Sequence, residues 1–408
     1  MTGLAAPVVR EFDRMWADLH LVGRCPSGGY RRLAWTAEDA CLREWFTGEA
    51  GRRGLDLTTD RAGNLWAWWG DPDAAAAAGD PGIVTGSHLD SVPGGGAYDG
   101  PLGVVSAFAA LDELRAAGHR PARPVGVACF GDEEGARFGI ACAGSRLLTG
   151  ALDPGNALGL RDADGVSMGE AMSSAGHPVR YDGRQALRDD ETLRRVGAFV
   201  ELHIEQGRGL VHLGRPVAVG TSIWPHGRWR LELRGEANHA GTTPLADRRD
   251  PMLGLAAAIL EARSAAQRLG CVATIGKVMV QPGGVNAIPS HVTAWLDARG
   301  PAPAAVTSVV EAVGAAAQTP AVPESFSAAT VFDVDLADRL AATLDGAPRL
   351  ATAAGHDAGV LAAAGIPTAM LFVRNPTGVS HAAEELAEHG DCLDGVDALA
   401  RVLLDLTR

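Results

Sequence analysis

The chain has 408 residues, more than one ordinary hydrophobic core accommodates, so two domains are expected. A hydrophobic share of 47% beside 21% charged residues describes an ordinary globular protein, and a net charge of −13 argues against nucleic acid or an anionic membrane as main partner. The cysteines at 25, 41, 129, 142, 271 and 392 form no CxxC, no basic-then-apolar leader stands in residues 1–30, and no run approaches the roughly 18 apolar residues of a membrane span, so reduced thiols and a cytoplasmic location are expected.

In chain order, the alanine run at 74–78, bracketed by DPD and GDPG, reads as a surface loop. Residues 82–87 and 125–130 read as strands. Between them PLGVVSAFAALDELRAAG opens on Pro101 and closes on Gly118, with apolar residues at 102, 104, 105, 108, 111 and 114, which predicts a helix. Strand, helix, strand at this spacing implies a parallel sheet with helices on its faces.

From about 216 to 328 the rhythm changes. Residues 229–234 alternate apolar and charged, as a sheet with one covered face does. A helix at 251–269, strands near 272–280 and 292–297, and a helix at 302–318 complete a βαββα order, a small α/β sandwich. The run at 369–373 then resumes the main sheet. The expected fold is α/β, with a mostly parallel sheet in a discontinuous domain of residues 1–215 and 329–408, interrupted by an inserted domain at 216–328.

The chemistry lies at strand ends, where open α/β sheets place ligands. GSHLDSVPGGGAYDG (86–100) brings His88, Asp90 and Asp99 together after an apolar run. Imidazole and carboxylate suit zinc, manganese, cobalt or nickel. His88 and Asp90 are two residues apart on an extended chain and point to one side, so Asp90 is read as the group that steers the His88 ring and fixes its tautomer. Asp99 is read as a carboxylate bridging two metals; the plainer alternative is a polar strand end with a glycine turn.

GDEEGARFG (131–139) crowds acids at the end of the next strand, which a metal centre explains: Glu134 as ligand and Glu133 as the base taking a proton from water. ELHIEQG (201–207) sets His203 in an apolar run between Glu201 and Glu205, with Gln206 as an amide donor close by. NPTGVSHAAEE (375–385) sets His381 after a buried strand. Two metals need about five or six protein ligands, and His88, Asp99, Glu134, His203 and His381 are a suitable set.

The inserted domain adds EANHAGTTP (236–244) and NAIPSHVTAWLDARG (286–300). His239 sits among small residues that allow close approach of a substrate. Arg299 suits a carboxylate bidentately, and Asn286 could donate to the same anion or to an oxyanion. Taken singly, both are as easily surface residues, and Arg137, Arg248 and Arg249 are rival anion binders. His20, His119, His177, His212, His291 and His389 have no comparable surroundings.

With these motifs in order, the chain resembles the dinuclear-metal amidohydrolases that include N-carbamoyl-L-amino-acid hydrolase, allantoate amidohydrolase and β-ureidopropionase, of the aminoacylase and glutamate carboxypeptidase superfamily. The resemblance runs from DRAGNLWAWWG (60–70) to the last motif, and ELHIEQG and NHAGTTP are characteristic of the ureido-cleaving branch. It implies a homodimer with two divalent ions per subunit on His88, Asp99 (bridging), Glu134, His203 and His381, with Glu133 as general base. It places Gln206, His239, Asn286 and Arg299 around the substrate, His239 polarising the scissile carbonyl, often from a partner subunit. His356 in GHDAG (355–359) matches a position lining the site. The inserted domain becomes a lid and dimerisation domain, and the Asp99–Gly100 peptide is implied to be cis.

Two departures stand out. Arg228 replaces a common glutamine, beside Trp224, Pro225 and His226, and the final motif RNPTGVSH is nearer the allantoate type. The implied activity is cleavage of a linear ureido or amide C–N bond in a carboxylate-bearing small molecule, allantoate or an N-carbamoyl-L-amino acid. An aminoacylase or dipeptidase with the same centre is the enzymatic alternative. A silent binding protein is disfavoured because every ligand and the base are present.

Overall fold

The computed structural model describes residues 3–177 and 187–408. The chain divides into two compact units, residues 1–221 with 331–408, and residues 222–330.

The larger unit is built on a sheet of β1 (Asp56–Thr59), β2 (Leu65–Trp69), β3 (Gly82–His88), β4 (Val125–Phe130), β5 (Val196–Ile204) and β6 (Val217–Ile223). The strands β7 (His226–Arg234), β8 (Asn238–His239), β9 (Val272–Gln281), β10 (Ala287–Ile288), β11 (His291–Arg299) and β12 (Val322–Ser327) follow in the inserted segment. The chain then returns through β13 (Thr330–Val331), β14 (Arg349–Thr352) and β15 (Thr368–Val373). The main sheet runs β1-β2-β4-β3-β5-β15-β6-β13, with β14 on β6.

Its centre, β4-β3-β5-β15, is parallel, while β1 on β2, β2 on β4 and β6 on β15 are antiparallel. The expected mostly parallel sheet is therefore a mixed one with a parallel centre. Every residue of β3, β4 and β15 is buried, which is why these runs are continuously apolar rather than alternating. The helix Pro101–Ala116 is buried almost all round and shares one core with Ala6–Leu19 and His389–Leu406. The parallel centre aims four C-terminal strand ends the same way, and the chemistry-bearing motifs follow those ends.

Two expectations about the elements need correction. Alanines 74–77 lie in a helix, Pro72–Ala77, not a loop: Asp71 accepts hydrogen bonds from the Asp73 and Ala74 N–H groups, proline occupies the first turn, and alanine does the rest. The inserted segment starts later than residue 216, because β6 pairs with β15 and so belongs to the main sheet.

The smaller unit is a four-stranded antiparallel sheet, β12-β7-β11-β9, with helices Pro251–Leu269 and Pro303–Ala317 packed against one face. The alternating burial of β7 and β11 matches that single covered face. The sequence reading missed β12, VPESFS, an exposed edge strand with a proline and no apolar alternation.

Candidate metal centre

His88 is the last residue of β3 and is buried. Its Nδ1 lies 3.2 Å from the Asp90 carbonyl oxygen and 3.4 Å from Asp90 Oδ1. Donation from Nδ1–H leaves the Nε2 lone pair bare, 3.6 Å from both Asp99 Oδ1 and Glu133 Oε2. His203, near the end of β5, repeats the device: Nδ1–H donates to the Ile204 carbonyl at 2.9 Å, and Nε2 faces Asp99 Oδ1 at 3.2 Å.

His381 follows β15, with its Nε2 3.4 Å from both Asp99 Oδ2 and Glu134 Oε2. Its φ of 56° is a left-handed conformation that side chains rarely adopt, the kind of strain that clusters at functional sites. The two oxygens of Asp99 thus face different histidine sets, Oδ1 toward His88 and His203 and Oδ2 toward His381. Ligand atoms of His88, Asp99 and His203 lie within 4.8 Å of one another, as do those of Asp99, Glu134 and His381.

Asp90 does more than steer His88. Its two oxygens accept the backbone N–H groups of Glu133 and Glu134, at 3.2 and 3.1 Å, tying the β3 end to the acidic loop after β4. Gln206 donates to Asp99 Oδ2 at 2.7 Å and to Ser380 Oγ at 3.1 Å, so it touches the cluster itself.

The electrostatics fit a dication. Burial alone would raise Asp99, but the imidazoles of His203, His381 and His88 gathered around it overcome that and hold the carboxyl well below its usual range. Burial would lower His88, yet Glu133, Asp90 and Asp99 drive it well above. The bond to Asp99 takes His381 up to about 9. Burial pushes Glu133 well above the carboxylate range and Glu134 up to about 7. Buried carboxylates this close need a compensating charge. The Nε2 atoms of His88 and His203 are buried without a hydrogen-bond partner, and both face Asp99. Orphaned imidazole nitrogens converging on a carboxylate are what metal ligation uses, so the donor set fits.

One expectation changes here, and the other candidates find their surroundings. The Asp99–Gly100 peptide is trans, and among the described residues only Gln281–Pro282 is cis; Gly100 makes the turn instead, with φ 87°. His356 is buried beside the cluster, its ring centroid 4.5 Å from that of His203, and burial holds it well below its usual range. Arg299 already has a carboxylate, donating to both oxygens of Asp297 at 2.8 and 3.2 Å. The rivals Arg137 and Arg248 are engaged structurally, Arg137 with Asp162 and two backbone carbonyls, Arg248 with the carbonyls of Thr243 and Ala240.

Within the smaller unit, His239 and Asn286 belong to one ladder: Ala287 pairs with His239, and the Ala240 N–H donates to the Asn286 carbonyl. The Gly241 N–H donates to His239 Nδ1 at 3.0 Å, which puts the ring proton on Nε2 as a donor. Arg228 lies 3.9 Å from the same Asp297 that holds Arg299.

A profile of peptidase family M20/M25/M40 matches residues 84–405. The chain belongs to this family. It is 37% identical to the N-carbamoyl-L-amino acid amidohydrolase of Geobacillus stearothermophilus, over 97% of this chain and 98% of the relative. It is 30% identical to the allantoate amidohydrolase of Escherichia coli, over 94% of each. A solved hydantoinase/carbamoylase family amidase from Burkholderia ambifaria superposes with a TM-score of 0.83 at 31% identity, over 98% of both chains.

Around this family member's cluster stand residues that sequence reasoning left without a role. Glu201 is buried and accepts from Ser87 Oγ at 2.7 Å and the Ala358 N–H at 3.0 Å. Asp357 accepts from Ser145 Oγ at 2.5 Å, and burial pushes it up to about 8. An acid inside the apolar run FVELHI was the available signal for Glu201; Asp357 gave none, since its partner is 212 residues away.

Proposed function

We propose that the protein is a metal-dependent amidohydrolase that cleaves a linear ureido or amide C–N bond in a carboxylate-bearing small molecule. An N-carbamoyl-L-amino acid or allantoate is the preferred substrate class. The observation that carries this is the convergence of His88, His203, Asp99, Glu134 and His381 at the strand ends, with Glu133 beside them, 3.6 Å from His88 Nε2. The names of the relatives support the ureido choice.

In this reading His88, Asp99 and His203 would hold one divalent ion and Asp99, Glu134 and His381 would hold a second, zinc, manganese, cobalt or nickel. Such ions supply Lewis acidity, lowering the pKa of water and polarising a carbonyl. Glu133 accepts the proton of the attacking water at its carboxylate as oxygen adds to the carbonyl carbon. It returns that proton to the leaving nitrogen when the C–N bond breaks. Asp90 holds the Glu133 and Glu134 backbones in place, and Gln206 keeps Asp99 turned to the cluster. To His239 we assign donation from Nε2–H to the developing oxyanion, and to Asn286 and Arg299 the substrate carboxylate. Because Asp297 already engages Arg299, the incoming carboxylate competes with Asp297 for the guanidinium.

We further propose a homodimer formed through the smaller unit, in the cytoplasm. β9 is an edge strand, paired with β11 on one side and exposed along most of its length, with Val278 and Met279 at 40% and 50% exposure. Leu253 and Leu260 are exposed on the neighbouring helix, and an open apolar edge of this kind is a natural pairing surface. No helix among the described residues is long and apolar enough to cross a membrane.

The test is ammonia release from a panel of N-carbamoyl amino acids and allantoate, with free amino acid release from N-acetyl amino acids and dipeptides followed alongside, using manganese- and zinc-loaded protein. Ammonia from a ureido acid is expected. Turnover of acetyl amino acids or dipeptides alone would replace the reading with an aminoacylase or dipeptidase.

A further inference from the structure

The second glutamate of the last motif, Glu385, is buried, at 5% exposure, four residues beyond His381. Its Oε1 accepts two consecutive backbone N–H groups, those of Tyr98 and Asp99, each at 2.9 Å. One acceptor atom thus fixes the backbone on which the bridging aspartate rides, across a separation of 286 residues. Gly96 leaves room for this: a Cβ there would lie 2.6 Å from Glu385 Cδ, 2.8 Å from Oε2 and nearer still to Cβ. Gly96 is not at positive φ, and the glutamate side chain is what an added Cβ there would meet first.

We infer that Glu385 is a positioning residue that bolts the Asp99 loop to the His381 segment and thereby sets the affinity of the second ion. The inference rests on the metal reading above. It predicts an asymmetry between the two ions. In the first group only Asp99 comes from the bolted loop, since His88 and His203 are each oriented by a carbonyl of their own strand end. In the second group, Asp99 and His381 both lie on the two segments that Glu385 joins. That group is also the more open one, His381 being half-exposed while His88 and His203 are fully enclosed.

The loop has a second tether in Gln206 and Ser380, which reach the Asp99 side chain at 2.7 and 3.3 Å. Losing Glu385 therefore loosens the aspartate without releasing it, and graded weakening is expected rather than collapse. Outer contacts of this kind commonly change metal affinity by about 10–100-fold.

The experiment titrates metal-free protein with Mn2+ alone, read by electron paramagnetic resonance and calorimetry, for wild type, Glu385→Ala, Glu385→Gln and Gly96→Ala. Wild type is expected to bind two ions per chain. Glu385→Ala and Gly96→Ala should weaken the second by about 10–100-fold and leave the first within about threefold. Glu385→Gln should stay near wild type, because its Oε1 accepts the same two N–H groups. Should the alanine variant of Glu385 fail to fold, Gly96→Ala carries the comparison. Two ions bound at wild-type affinity in Gly96→Ala or Glu385→Ala overturn the inference and leave the metal reading standing. Equal loss at both ions, or a glutamine variant as weak as alanine, overturns it as well. A wild-type chain that binds no ion overturns both.

Discussion

Gly100→Ala is the sharpest perturbation of the proposed centre that leaves every ligand in place. A Cβ at this position would sit 2.7 Å from His88 Nε2 and nearer still to Nδ1 and Cε1, on a ring that is buried and held by Asp90. The backbone adds a separate cost, because Gly100 has φ 87°, where an L side chain is strained by about 1–3 kcal/mol. Overpacking a tight interior costs about 1–3 kcal/mol more. If the ring stays, the variant loses about 2–6 kcal/mol of stability. If the ring swings aside, part of that cost is relieved, but Nε2 leaves its place opposite Asp99 and metal affinity falls about 10–100-fold, equivalent to roughly 1.4–2.7 kcal/mol. Urea unfolding of the metal-free protein and Mn2+ titration of the same sample measure the two routes. A variant with wild-type values in both would refute the placement of His88 against this turn.

Glu133→Gln should keep both ions, by metal analysis, yet lose at least about a hundredfold in kcat, the usual scale of acid–base catalysis; turnover near wild type removes Glu133 from the role. Asp60 gives a pH effect away from the centre. It is fully buried, and burial pushes it up to about 6 although Asn64 and Trp66 donate to it. Its folded value lies above the unfolded one of about 3.9, so its contribution is complete below pH 4 and is lost as pH rises through 6, by at most about 3 kcal/mol. Urea midpoints should therefore fall less over that window in Asp60→Asn than in wild type, and parallel pH profiles would contradict the reasoning. Met279→Lys, on the open edge of β9, should shift the protein to monomer in sedimentation; an unchanged dimer would move the interface elsewhere.

Much of the site is legible in the sequence because each candidate ligand is tied to a local pattern. His88, Glu134 and His381 each follow an apolar run that had to be a buried parallel strand, and strand ends of such sheets share one edge. The helix Pro251–Leu269 is equally plain, with Asp250 as its cap, proline in its first turn and Gly270 beyond its end. What stayed hidden depends on partners far along the chain. Nothing in AAEEL says which glutamate is buried, or that it answers the Tyr98 and Asp99 backbones. The Asp297–Arg299 pair, by contrast, is local: two residues apart on one strand, they point to the same side.

The sequence by itself determined the central strands of the main sheet, the candidate ligand types and the order in which they arrive, since periodicity and turn residues act over a few positions. Only the tertiary structure decided that the sheet is mixed, that the turn after Asp99 is made by a trans glycine, and that His356 packs behind His203. Those outcomes depend on which surfaces meet, and burial, desolvation and pairing are properties of that meeting rather than of any segment alone.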